Sequence, residues 1–172
     1  MGIKFNPLFK NILIISSFFI FSNCSTTKEI KKLSSQINCS KKIYFVWDVE
    51  SNYFKVEKTG NFNYLGKGKK RNHKEMFINT INKINKKYEG DYFYSEHQEF
   101  PSDSIILVSV KLEKIVWNMG FSKTIVDMQL TYTTNENQLG FIGQSVGFKG
   151  EKSYMQCFED ATLQFILANC NN

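Results

Sequence analysis

The chain has 172 residues, with 22 lysines and arginines against 16 acidic residues and a formal net charge of +6. That length suits one compact domain rather than two, and so modest a charge does not mark a nucleic-acid binder. Sixteen Phe and eight Tyr are spread along a sequence without repeats or low-complexity tracts, which favours an ordered core over disorder.

The N-terminus follows an export pattern. Lys4 and Lys10 supply a basic start, Ile12 to Phe21 (ILIISSFFIF) an apolar core, and Ser22 and Asn23 a small, polar exit before Cys24. A helix that spans a bilayer needs about 20 mainly apolar residues. This core holds ten, two of them serine, so a permanent span is disfavoured. Phe21-Ser22-Asn23-Cys24 resembles the lipobox of bacterial lipoproteins, with Phe21 and Asn23 where Leu and a Gly or Ala are usual. The resemblance covers this segment alone.

It implies that residues 1–23 are a signal peptide removed by cleavage and that Cys24 carries lipid at the new N-terminus. Lipoproteins of this kind bear several acyl chains, and two or more make membrane association stable where one does not. Ser25 follows the cysteine, in place of the aspartate that commonly accompanies inner-membrane retention. The resemblance therefore implies the outer membrane in a two-membrane cell, on either of its faces. Loss of Lys4 and Lys10 would leave 20 basic residues against 16 acidic ones, a net charge of +4.

Residues 24–38 are polar, with isolated Ile30, Leu33 and Ile37, and are expected to form a tether. Residues 39–172 form the expected single globular domain. Its first strand has Ile43, Phe45 and Trp47 on an inner face, and a second is expected over Tyr53–Lys58, joined through a loop at Ser51-Asn52. The stretch from Gly60 to His73 is a loop carrying the basic run KGKKRNHK. Phe77, Ile81, Ile84 and Tyr88 then recur at helical spacing, with Asn72 as cap and Gly90 as stop.

A short strand is expected at Tyr92–Ser95, then a turn around Pro101. Ile106, Val108, Val110 and Leu112, and later Val126, Met128, Leu130 and Tyr132, alternate with polar or outward residues, as half-buried antiparallel strands require. Asn135–Gln138 supplies a turn, and the chain returns through Ile142, Val146 and Phe148. Gly140, Gly143 and Gly147 make that last strand irregular or an edge. A closing helix over Ser153–Leu167 turns Tyr154, Phe158, Ala161, Phe165 and Ala168 inward. The order predicts an α+β two-layer sandwich: an antiparallel sheet of about 4–6 strands, with two main helices packed on one face.

Chemistry-bearing residues are few. Beyond Cys24, an oxidising compartment permits a disulfide among Cys39, Cys157 and Cys170. Cys39–Cys170 would staple the ends of the domain; a pair with Cys157, or no pair, stays open. The sequence has no Cys-x-x-Cys, and neither His sits at ligand spacing from a cysteine, so no metal site and no cofactor are expected. Lys67, Lys69, Lys70 and Arg71 form a candidate anion-binding run, suited to lipid head groups or glycolipid phosphates. It lacks the interleaved aromatics of a nucleic-acid surface.

The Gly140–Gly150 stretch lacks the spacing of a phosphate-cradling loop. Trp47 and Trp117 suit core or rim positions. His97, with Glu96, Glu99, Asp103 and Ser104 nearby, is the candidate site for an envelope hydrolase or carbohydrate-active enzyme, although no nucleophile elbow accompanies it. The favoured expectation is a non-enzymatic, membrane-anchored envelope lipoprotein that acts as an accessory or binding component. Its expected partners are the membrane, through the lipid, and an envelope protein or anionic glycolipid.

Overall fold

A computed structural model describes residues 39, 41–61, 71–97, 104–147 and 149–170. The elements run β1 (Lys42–Trp47), a 3-10 turn (Val49–Tyr53), β2 (Lys55–Gly60), α1 (His73–Tyr88), β3 (Tyr92–Tyr94), β4 (Ile105–Met119), β5 (Thr124–Thr133), β6 (Gln138–Val146) and α2 (Glu151–Cys170). Six strands form one sheet in the order β3-β1-β4-β5-β6, with β2 also paired to β4. The fold is α+β, and both helices pack on one face. Phe45 of β1 meets Phe77 of α1 at 6.2 Å and Phe165 of α2 at 6.0 Å, ring centre to ring centre.

Strand direction departs from the antiparallel expectation. β4, β5 and β6 are antiparallel neighbours, whereas β1–β3, β1–β4 and β2–β4 are parallel, so the sheet is mixed. A parallel pair needs a crossover connection, and α1 supplies one between the first strands and β3. The alternation of apolar residues is the same for either direction, so it did not reveal this.

Long β4 is the axis of the sheet. β1 pairs with its first half, Ile105–Val110, and β2 with its second, Lys114–Met119. Between them the chain lifts away in the 3-10 turn, opposite Lys111–Glu113. The turn is capped by Asp48, whose carboxylate accepts from the Glu50 backbone NH at 2.8 Å. Lifting a strand off its neighbour would strand ladder groups in the interior. Ser51, 2 % exposed, takes them over: its hydroxyl accepts from Leu112 NH at 2.8 Å and donates to Val110 C=O at 3.3 Å.

At the same height the β4–β5 register shifts between Leu112 and Lys114. A bulge changes which parity faces inward, and the core residues change from Val108, Val110 and Leu112 to Ile115 and Trp117. The β5 residues Val126, Met128, Leu130 and Tyr132 are all buried, as their alternation predicts.

Helix α1 starts where expected, with the Asn72 side chain accepting from Glu75 NH at 3.1 Å. Its left-handed terminal residue is Glu89, one before the expected Gly90. Gly90 instead lets the backbone lie against the Tyr92 ring, where a Cβ would overlap it. Helix α2 buries Tyr154, Phe158, Ala161 and Phe165 as expected, while Ala168 is exposed. It continues to Cys170, beyond the expected end at Leu167.

β6 is an edge strand. Its inner side is so close to α2 that a Cβ on Gly143 would overlap the Cys157 carbonyl oxygen. Ile142 and Val146 face solvent, and Phe148 lies outside the described residues.

Candidate functional site

The topology gives the domain two distinct ends. At one, the chain enters at Cys39 and leaves at Cys170, and these two residues are joined by a disulfide with Cα atoms 4.9 Å apart. At the other lie the end of β2, the β4–β5 hairpin and the starts of both helices. Arg71, the last of the four basic candidates, lies at this second end. Lys67, Lys69 and Lys70 fall outside the described residues, in a segment that leaves after Asn61 and rejoins at Arg71.

Arg71 is held in place. Its guanidinium lies 3.1 Å from Glu151 Oε1 and 5.4 Å from the centre of the Tyr154 ring, so the residue two before α1 is tied to the first turn of α2. Cation–π and ion-pair contacts of this kind are each modest. Together they fix one geometry.

Behind Arg71 stands a row of rings. His73 contacts Phe54 at 4.7 Å and Tyr154 at 5.3 Å, and Tyr154 contacts Trp117 at 5.5 Å. The buried Nε2 of His73 has no hydrogen-bond partner among the described residues. Burial, followed by the charge of Arg71, pushes its pKa down to about 4, so the imidazole is neutral at ordinary pH. The arrangement latches two helix starts onto the sheet. Of the four basic candidates, the structure describes only Arg71, and Glu151 already balances its charge.

The His97 constellation does not assemble among the described residues. His97 and Ser104 are both exposed. Glu96 is bound by Lys74 at 2.9 Å, and the His97 backbone NH donates to Ser95 Oγ at 3.0 Å. Glu99, Asp103 and Pro101 lie outside the described residues, as do Cys24, the expected signal peptide and all of the expected tether before Cys39.

Cys157 is a buried free thiol whose Sγ donates to Val126 C=O at 3.2 Å. Burial is the first cause that raises its pKa, followed by the nearby Asp160 and Asp127 charges, so the thiolate is disfavoured. Among the described residues no group of three or more His, Cys, Asp or Glu could hold a metal ion.

Polar residues inside α2 carry structure that the sequence reading missed. Glu159, nearly fully buried, accepts from Lys83 at 2.7 Å and Lys87 at 3.2 Å. Burial opposes its ionisation, but the two lysines outweigh it and the pKa is lowered. Asp160 Oδ2 accepts from Gln144 NH at 2.9 Å, and Gln164 Nε2 donates to Ile142 C=O at 2.9 Å. Two adjacent acids, Glu159-Asp160, within an otherwise apolar helical stripe were the available signal. Buried charges are retained only when paired.

No family model matches the chain, and no curated protein does either. Among solved structures it is similar to one described as an uncharacterized protein, at 6% identity and a TM-score of 0.34, over 76% of this chain and 97% of that one.

Proposed function

We propose that this protein is an envelope lipoprotein, anchored through lipid on Cys24, whose α+β domain works by binding and not by catalysis. The observation that carries the proposal is the N-terminal order of basic start, ten-residue apolar core and Phe21-Ser22-Asn23-Cys24. The Cys39–Cys170 disulfide supports it independently, because such bonds persist in exported proteins and are rare in reducing compartments. The outer membrane is the proposed address, by the serine after Cys24.

On this reading the tether joins the domain at the disulfide end, and the end bearing Arg71 is the one remote from the attachment point. That end, with its basic run, is the proposed contact for an envelope protein or an anionic glycolipid.

Mass spectrometry of the mature N-terminus from membrane fractions tests the anchor. The expected result is an acylated peptide beginning at Cys24, with Cys24→Ala accumulating unprocessed and without lipid. An unmodified N-terminus elsewhere in the chain would overturn the proposal.

A further inference from the structure

The two ends of the domain are closed by different chemistry. At one, the Cys39–Cys170 disulfide joins the start of the domain to the last residue of α2. At the other, the first turns of α1 and α2 meet through the side chains of Arg71, His73, Glu151 and Tyr154. A covalent bond closes the first end at any pH. The second depends on the charge of His73.

His73 opens α1 and sits between the rings of Phe54, at 4.7 Å, and Tyr154, at 5.3 Å. Phe54, just before β2, and Trp117 of β4, behind Tyr154, bring uncharged rings. From α2, Glu151 is engaged by Arg71. On α1 itself, Glu75 accepts from Asn72 and Lys74 is bound by Glu96, just after β3. Among the described residues, Arg71 is the charge that acts on the imidazole, and it has the sign of a protonated ring. Protonation puts an N–H on both ring nitrogens. Nε2 is buried without an acceptor among the described residues, so the pocket suits the neutral ring and opposes the cation.

From this geometry we infer that the first turn of α1 is an acid-operated latch: protonation of His73 releases residues 71–75 from Phe54 and α2, while the rest of α1 and the sheet stay folded. Locality follows from burial. Arg71 to Glu75 are each exposed or half-buried, whereas Phe77, Ile81 and Ile84 are fully buried. Further along, Lys83 and Lys87 tie α1 to Glu159 of α2. Opening one turn therefore gives up far fewer buried contacts than lifting the helix away.

Burial first, and Arg71 second, hold the His73 pKa at about 4 against an ordinary 6.5. A released ring that titrates normally binds the proton about 300-fold more tightly, so acid raises the ratio of open to closed latch by up to that factor. The closed form keeps its full advantage above about pH 6.5 and loses it as pH falls toward 4. The latch lies at the end proposed above as the contact surface, and a role in regulating that contact rests on that reading. The opening itself does not.

Amide hydrogen exchange of the full chain in detergent micelles tests the latch, with protection taken relative to an unfolded peptide at the same pH. The Glu75 NH is held by Asn72 Oδ1 and the Met76 NH by the Asn72 C=O, each at 3.1 Å. Protection of these two amides should fall between pH 7 and pH 4 by a factor approaching the one above, while Ile81 and Ile84 keep theirs. In His73→Phe the protection of Glu75 and Met76 should stay level with pH. His73→Gln, smaller and also without a titration here, should do the same, and circular dichroism checks the folding of each variant.

Level protection in the wild-type chain would overturn the inference. An equal fall at Ile81 and Ile84 would do so too, because it marks global unfolding. A fall that persists in both variants would assign the response to another group, such as Glu151. None of these readings depends on lipid at Cys24 or on a partner.

Discussion

Asp160 and Gln144 are 16 residues apart in sequence, yet the Asp160 carboxylate holds the Gln144 backbone NH at 2.9 Å and so closes one position of the β6 edge. Gln164, one helical turn further on, closes the adjacent carbonyl of Ile142. Side chains at i and i+4 of a helix lie on one face, and alternate residues of a strand turn their backbone groups the same way. Two side chains of α2 therefore match two backbone groups of the edge.

Asp160→Ala removes the acceptor and leaves that NH unpaired beside a buried helix. A loss of about 1–3 kcal/mol is expected, read as a lower urea midpoint with an unchanged slope. Exchange of the Gln144 amide hydrogen should rise in the variant. An unchanged midpoint would show that water replaces the carboxylate without cost.

Ser51→Ala tests the break between β1 and β2. The hydroxyl serves two ladder groups of β4, and alanine leaves the buried Leu112 NH without that acceptor, while Val110 C=O keeps the Asp48 backbone NH at 2.9 Å. The expected cost is again about 1–3 kcal/mol, whereas Ser51→Thr should retain much of the stability if its methyl fits. Equal losses for Ala and Thr in chemical denaturation would mean that packing, not hydrogen bonding, sets the site.

His73 should make stability depend on acid. Its folded-state pKa is lowered to about 4 from an ordinary value of 6.5, with burial the first cause and Arg71 the second. The unfolded chain therefore binds the proton more readily, and stability rises with pH across this window. The contribution is complete above about pH 6.5 and declines as pH falls toward about 4. His73→Phe keeps a ring between Phe54 and Tyr154 and removes the titration. Melting temperatures of the two proteins, compared at each pH, should diverge least near neutrality and most toward pH 4, with wild type losing more. Parallel curves would refute the assignment.

The Cys39–Cys170 bond closes a loop with a sequence separation of 131 residues. A loop of that size stabilises by up to about 5 kcal/mol when its effect is entropy removed from the unfolded chain, and native bonds commonly give 2–5 kcal/mol. The double variant Cys39→Ser/Cys170→Ser should melt well below wild type and match the reduced wild-type protein. Little difference between oxidised and reduced protein would show that the ends are held without the bond.

Much of the fold was legible because periodicity is local. Alternation placed Val126, Met128, Leu130 and Tyr132 inward, and a 3.6-residue stripe placed Phe77, Ile81 and Ile84 against the sheet; all seven are buried. The inward parity of β4 changed at Glu113-Lys114, where two successive polar residues mark the bulge, a signal visible only once the register of β5 is known. The candidate site was less legible. Arg71 looked like one more charge in a basic loop, and only the convergence of two helix starts ties it to Glu151 and Tyr154. His97 looked like a base among carboxylates, yet sequence proximity did not give it a buried setting.

The sequence by itself determined the period of each element and the layers they make, because each depends on neighbours a few residues apart. The tertiary structure decided strand direction, the Cys39–Cys170 pairing, the burial of Ser51, Glu159 and Asp160, and which sheet edge is sealed. Those depend on groups brought together from distant parts of the chain, where a polar residue is a solvent-facing side chain or a buried partner only according to what packs against it.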